Sequence, residues 1–475
     1  MRLRTTFEPH DEELIRLMKE DPIGRNSELG YLVRLLDASD DGLSVFLNGK
    51  WGCGKSYFVR QAELLLRALN PNLTSRYGLT DEDCVSIVGK NRMSAEDARQ
   101  YLPVYFNAWK HDAFGEPVLS LVCDIADMED ITQDFEPNKE ALKKIVLNIA
   151  KCVVKSKLPA LKEYVDEGVS SIGELATILT KTADPLQEYQ DRKNLEKHVN
   201  LLIDKALHLA GSKERPADAI VIFVDELDRC RPSYAIEVLE SVKHLLVRPD
   251  VVVIFSVDAQ QLAEVIRGTY GINYSAEHYL KRFYDVSLRL SRVDPDSFMT
   301  KTLKWPSEAH SELDLVARDL VADSEFVMRD IVQYYESVSR VRNLRYYAAY
   351  TLDSTIRDVV CPAICYLKIY NQLALDRLEN RGEVDSAFLT HVTGSQIAGG
   401  ILDKALDNMP TYRNDLRDSN PTKLRQTLMR DLLLAYAADE DLPLHKEALA
   451  SLEQYNQDYK SRRVSIRAIQ EQCSI

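Results

Sequence analysis

The run Gly49-Lys50-Trp51-Gly52-Cys53-Gly54-Lys55-Ser56 has the spacing GxxxxGK[ST]. Glycines at these places let the backbone curl so that its N–H groups converge on phosphate oxygens. Lys55 then brings an ammonium to the β- and γ-phosphates, and the Ser56 hydroxyl is a ligand for Mg²⁺. Tyr57 stands in the first turn of the helix that begins at Lys55, whose N-terminal positive end adds to the anion site. The candidate nucleotide-binding set is therefore Gly49, Trp51, Gly52, Cys53, Gly54, Lys55, Ser56 and Tyr57. Far downstream, the apolar run Val221-Ile222-Phe223-Val224 ends in Asp225-Glu226. Asp225 is placed to hold Mg²⁺, and Glu226 to polarise an attacking water. Two acids are needed because the metal neutralises the one that it binds. The chemistry these groups imply is transfer of the γ-phosphoryl group of Mg-ATP to water.

Other residues can assist. Phe255-Ser256-Val257-Asp258 ends another apolar run, and Ser256 and Asp258 are candidates to contact the γ-phosphate or the lytic water. Asp258 is equally suited to cap the helix after it. Asn107 can offer an amide to the same water or simply end its strand. Trp109 reads as an apolar plug at the sheet edge. Developing negative charge needs a cation. Arg229 and Arg282 are the leading choices, with Arg231, Lys281, Arg340 and Arg342 behind them.

These groups need a scaffold that brings them together. Ser44–Asn48, Tyr101–Asn107, Ala219–Asp225, Val251–Asp258 and Asp285–Leu290 are apolar, strand-length runs. They alternate with helical periodicity over Lys55–Ala68, Tyr234–Val247 and Gln261–Tyr270. Alternation of this kind predicts an α/β fold: a P-loop NTPase with a parallel sheet of about five strands covered by helices. The strand at 101–107 lies between the two phosphate motifs, which predicts the additional-strand class. Residues 70–100 read as polar and turn-rich, and 116–212 as helical. The expected organisation is a helical lead-in over 1–42, an NTPase core over 43–292 with a helical insert near 116–215, and a helical lid or effector domain over 293–475. Asp21–Arg25 reads either as a plain interhelical turn or as a turn whose backbone meets adenine, with Ile23 on the base.

The set Gly49–Ser56, Tyr105-Phe106-Asn107-Ala108-Trp109, Phe223-Val224-Asp225-Glu226-Leu227-Asp228-Arg229-Cys230, Phe255-Ser256-Val257-Asp258 and Tyr279-Leu280-Lys281-Arg282-Phe283 resembles the KAP family of P-loop NTPases over roughly residues 20–350. That resemblance implies ATP hydrolysis by an additional-strand core with a helical appendage, used as a switch. It also implies, for bacterial members, a place in phage exclusion or phage defence. Many members carry transmembrane helices between the two phosphate motifs, and here that segment is polar.

Composition narrows the partners. The net charge of −14 over 475 residues argues against a protein that coats nucleic acid. The eight cysteines have no CxxC spacing and suit a reducing cytoplasm. The first residues lack a secretory h-region, and no run of about 18 apolar residues predicts a membrane span. The helix near 142–155 sets Leu142, Ile145, Val146, Ile149 and Val153 opposite Lys144, Lys151 and Lys155. That face can pack on a domain or lie on an anionic membrane. No NKxD guanine signature occurs, so ATP is favoured over GTP. The expected partners are ATP, effector or operon proteins, and further copies of the chain in an ATP-dependent homo-oligomer. A non-hydrolysing nucleotide-binding scaffold and a DNA-acting ATPase are the alternatives.

Overall fold

The computed structural model describes residues 10–73, 78–93, 98–128, 136–157, 185–246, 248–305, 311–322, 324–343, 355–409, 413 and 420–455. The chain divides into two compact units, Met1–Ser291 and Arg292–Ile475.

In the first unit, β1 (Leu43–Asn48), β2 (Tyr101–Asn107), β3 (Ala219–Asp225), β4 (Val251–Val257) and β5 (Val286–Arg289) form one sheet in the order β2-β3-β4-β1-β5. Every pairing is parallel. β3 and β4 are buried along their whole length, as a central parallel strand covered on both faces must be. On one face lie α1 (Asp11–Glu20), α2 (Asn26–Asp37), α3 (Lys55–Leu69) and α4 (Asp81–Val88), which bury Leu14, Leu32, Leu65 and Ile87 with Val45, Leu47 and Phe223. The helices of the first 42 residues are thus part of this unit rather than a separate lead-in. On the other face, α5 (Pro117–Ala126), α6 (Glu136–Lys157), α7 (Pro185–Leu209), α8 (Pro232–Leu245) and α9 (Ala259–Tyr270) cover Phe46, Val104, Phe106 and Val224.

One expectation is corrected here, and one open alternative is decided. α4 falls inside the stretch read as turns. Its start is a capping box in which Thr80 and Asp83 satisfy each other's backbone N–H, and one face buries Cys84, Ile87 and Val88. In α6 the apolar residues Leu142, Ile145, Ile149 and Val153 are buried in the same cluster as Val199, Leu202 and Ile203 of α7. That face is covered by protein, so it is not available to a membrane. The insert's residues 129–135 and 158–184 lie outside those described. Among the described residues no helix is long and apolar enough to cross a membrane.

The second unit is helical, and its described residues form no strand. Its helices include Glu312–Ala322, Met328–Asn343, Cys361–Tyr370 and Pro421–Ala437, around a core with Val316, Leu320, Tyr334 and Leu432. Trp305, fully buried, donates from Nε1 to Asp314 Oδ1 at 3.1 Å, and Arg342 pairs with the same buried carboxylate. Arg342 is thus committed within its own unit.

Candidate nucleotide site

Parallel strands deliver their carboxyl ends to one edge of the sheet. The register sets Asn107 beside Asp225, Asp225 beside Ser256, and Asn48 beside Val257. Loops leaving β1, β3 and β4 at this edge carry the candidate residues, which is where an open α/β sheet binds ligands.

The phosphate loop runs from β1 into α3. Gly52 and Gly54 adopt φ of 85° and 89°, a left-handed conformation that a side chain resists, and Gly54 is the N-cap residue of α3. A Cβ at Gly49 would sit 2.6 Å from Cys53 Sγ, so a side chain there would have to displace the Cys53 thiol. Lys55 is buried, and its ammonium donates to the carbonyls of Gly49 at 2.6 Å and Lys50 at 3.3 Å. These two carbonyls hold the cation where phosphate oxygens can take their place. The turn before α2 supports the loop from behind. Arg25 is buried and donates to the Cys53 carbonyl at 3.3 Å. It also pairs with Glu28, whose other oxygen accepts the Ser291 N–H at 2.6 Å. The Asp21–Arg25 turn therefore meets the phosphate loop through the Arg25 side chain.

Asp225 is almost fully buried at the end of β3. Its Oδ1 accepts the Glu226 N–H at 3.0 Å and its Oδ2 accepts the Tyr105 hydroxyl at 3.1 Å. Tyr105 stands on the neighbouring strand β2, and the guanidinium carbon of Arg60 lies 4.7 Å from its ring centroid. Burial, with the charge of Asp225 second, raises the Tyr105 hydroxyl pKa well above its ordinary value, so it is a donor at any working pH. Glu226 is held at φ 61°, left-handed backbone that costs an ordinary residue roughly 1 kcal/mol or more. This conformation turns its carboxylate towards the phosphate loop, where Oε1 accepts the Ser56 hydroxyl at 3.2 Å. Arg229 Nε lies 2.5 Å from Glu226 Oε2, off the line of a good hydrogen bond, so that this buried oxygen has no hydrogen-bond partner. Burial and then the neighbouring Asp225 raise the Glu226 pKa above the ordinary glutamate value, against the pull of Arg229 and Ser56. The Ser256 hydroxyl, beside Asp225 in the register, is likewise buried with no hydrogen-bond partner. A buried hydroxyl with no hydrogen-bond partner, beside a buried aspartate, is what a site built for an additional polar ligand leaves behind.

The remaining candidates separate. Asp258 is buried, and its Oδ1 accepts from Gln260 N at 3.1 Å and Gln261 N at 3.3 Å, so this oxygen caps α9. Asn107 spends its Oδ1 on the Lys110 N–H at 3.0 Å. Trp109 is corrected: it plugs nothing, being 55% exposed, and the Arg229 guanidinium lies 5.9 Å from its ring centroid. Arg231 is engaged with Asp112 through its backbone N–H at 3.0 Å and its Nε at 2.8 Å. Arg282 and Lys281 are exposed and precede β5, whose amino end lies at the sheet edge opposite the phosphate loop. Lys243, in the last turn of α8, donates to the Arg282 carbonyl at 2.9 Å on that far side. The structure therefore does not bring Arg282 to this chain's own site at the carboxyl edge of the sheet. Arg340 and Arg342 belong to the second unit.

The residue that the sequence argument passed over is Asp228. It is 5% exposed, and its Oδ2 accepts both the Trp51 indole N–H at 2.7 Å and the Asp258 N–H at 2.8 Å. Burial raises its pKa, opposed chiefly by the positive charge of Lys55. Its position in Asp225-Glu226-Leu227-Asp228-Arg229-Cys230 was the available signal. An acid three residues after a strand end, within a short turn over Leu227–Arg229, points back at the strand edge.

Comparison with known proteins agrees with this geometry. No curated protein matches the chain. The P-loop domain of the KAP family matches residues 25–349, which take in the whole sheet, its phosphate loop and the buried acids beside it. The chain belongs to the KAP family of P-loop NTPases.

Proposed function

We propose that this chain hydrolyses ATP to ADP and phosphate with Mg²⁺, and uses its nucleotide state as a switch that controls protein partners. One observation carries the reading: Ser56 of the phosphate loop and Glu226 after β3 meet at 3.2 Å beside buried Asp225. The loop N–H groups and Lys55 bind the phosphates, with Lys55 exchanging loop carbonyls for phosphate oxygens. Ser56 and Asp225 are the residues suited to hold Mg²⁺, which supplies charge neutralisation when bound with the nucleotide. Glu226 accepts a proton from the water whose oxygen attacks the γ-phosphorus. The bond from that phosphorus to the β,γ-bridging oxygen breaks, and its electron pair leaves with ADP. Arg229, which pairs with Glu226 at 2.5 Å, is the candidate cation for the charge that gathers on the transferred group. Preference for ATP rests on the missing guanine signature. A role in bacterial antiviral defence rests on family resemblance, and a cytoplasmic setting on a cysteine spacing without CxxC pairs.

The test is steady-state phosphate release by the purified chain, beside Lys55→Ala, with sizing chromatography in ATP. Turnover in the parent, loss of nucleotide binding in Lys55→Ala, and an ATP-dependent change of size support a hydrolysing switch that assembles. ATP binding without turnover at any protein concentration would overturn hydrolysis in favour of a nucleotide-binding scaffold.

A further inference from the structure

We propose that Asp228 is a positioning residue that latches the phosphate loop to the tip of β4, with the Trp51 indole as the loop's half of the latch. The proposal rests on the reading of Gly49–Ser56 as the phosphate site and goes beyond it by giving the loop a specific anchor.

Two donors from different elements converge on one oxygen. Trp51 Nε1 comes from the phosphate loop at 2.7 Å, and the Asp258 N–H from the residue after β4 at 2.8 Å, both on Asp228 Oδ2. Trp51 is 42% exposed, so burial of its ring is a weak tether. An indole has one hydrogen-bonding group, and here that group is directed at a buried carboxylate. Bonds to an ionised acceptor are roughly twice as strong as neutral ones. Lys55, the next cation along the loop, is attracted by the same carboxylate. The Asp258 side chain in turn caps α9 through Gln260 and Gln261. A movement of the loop that shifts Trp51 is therefore passed to the first turn of α9 through a single oxygen atom. An Asp228 that only satisfied the Asp258 N–H would need no contact with the loop.

The experiment has two arms. Without nucleotide, the indole emission and acrylamide quenching of the parent are compared with those of Asp228→Ala, Asp228→Asn and Trp51→Phe, the last giving the Trp51 share of a chain with three tryptophans. Asp228→Ala should shift the Trp51 emission to the red and raise its quenching, and Asp228→Asn, whose amide oxygen can accept both donors, should keep the parent spectrum. With nucleotide, a fluorescent ATP analogue should bind Trp51→Phe and Asp228→Ala about tenfold more weakly, equivalent to about 1.4 kcal/mol. Asp228→Asn should fall between them and the parent. Trp51→Phe should melt as the parent does, which separates a positioning role from a general loss of stability. An unchanged Trp51 signal in Asp228→Ala, or parental affinity in Trp51→Phe, overturns the latch. If the alanine variant does not fold, the asparagine and phenylalanine variants decide. If the parent binds no nucleotide, the phosphate-site reading fails, while the emission arm still judges the latch.

Discussion

Glu226 joins a strained backbone to a disfavoured charge, and three substitutions separate the two. Its φ of 61° places a residue with a Cβ where glycine is at ease. Alanine keeps that strain and removes the carboxylate, whereas glycine removes both. The left-handed penalty of roughly 1–2 kcal/mol exceeds the extra freedom that glycine brings to the unfolded chain, of about 0.4–1 kcal/mol. Glu226→Gly should therefore be more stable than Glu226→Ala by about 1 kcal/mol, the reverse of the order at an ordinary position. Glutamine isolates the charge. Because burial and Asp225 raise the Glu226 pKa, the fold disfavours the ionised form, and a neutral isostere should raise stability at pH 7. The sign sets the pH dependence. A carboxyl raised in the folded state stabilises the fold when protonated, and this contribution is lost as pH rises through the folded pKa. The advantage of Glu226→Gln should thus widen from acid towards neutral pH. Urea unfolding followed by circular dichroism measures the stabilities, and phosphate release measures the chemistry. All three variants should lose turnover by about 10²–10⁴-fold, the usual worth of a positioned base. An alanine variant as stable as the glycine variant would refute the strain argument. A glutamine variant that turns over like the parent would refute the role given to Glu226.

The remaining predictions concern the same cluster. The acid limb of kcat/KM, which reports the free enzyme, should lie above the ordinary glutamate value of 4.5. A protonated Glu226 cannot accept the proton of water, so activity rises with pH through that limb. Arg229→Ala should move the limb further up, because it removes a charge that holds the pKa down, and an unchanged or lowered limb would exclude Glu226 as the titrating base. Tyr105→Phe removes the hydroxyl that donates to Asp225 Oδ2 and so loosens the acid suited to hold Mg²⁺. Loss of such an outer hydrogen bond costs about 10–100-fold in metal affinity elsewhere. Magnesium titration of phosphate release should move to higher concentrations by a factor in that range, while nucleotide affinity measured with EDTA stays at the parental value.

Much of this architecture was legible because its causes are local. The runs Ala219–Asp225 and Val251–Val257 are continuously apolar since the sheet buries both faces, and that alone predicts central parallel strands. The glycine spacing of 49–56 reflects backbone angles that other residues avoid, so the phosphate loop can be read from one line of text. What stayed hidden is relational. Periodicity did not separate α4 from turns, because it is a short helix of eight residues whose stop and start lie in its capping residues. Arg282 was a candidate cation just before the fifth strand, but a parallel sheet has two edges, and only the register shows which one a residue occupies. Trp109 looked like core because it is large and apolar, and the structure leaves it exposed beside Arg229. Asp228 was visible as a letter, but its importance lies in two donors, one 177 positions before it in the sequence and one 30 positions after it.

The Arg25–Glu28 pair also makes a mechanical linkage. Arg25 grips the Cys53 carbonyl inside the phosphate loop, and Glu28 grips both Arg25 and the N–H of Ser291, the last residue of the first unit. Two neighbouring side chains on one turn of α2 therefore tie the loop to the point from which the chain departs for its helical unit. The phosphate loop and the end of the first unit are thus joined through only two side chains, by one ion pair and a backbone hydrogen bond at either end, like the crank that connects a piston to its shaft.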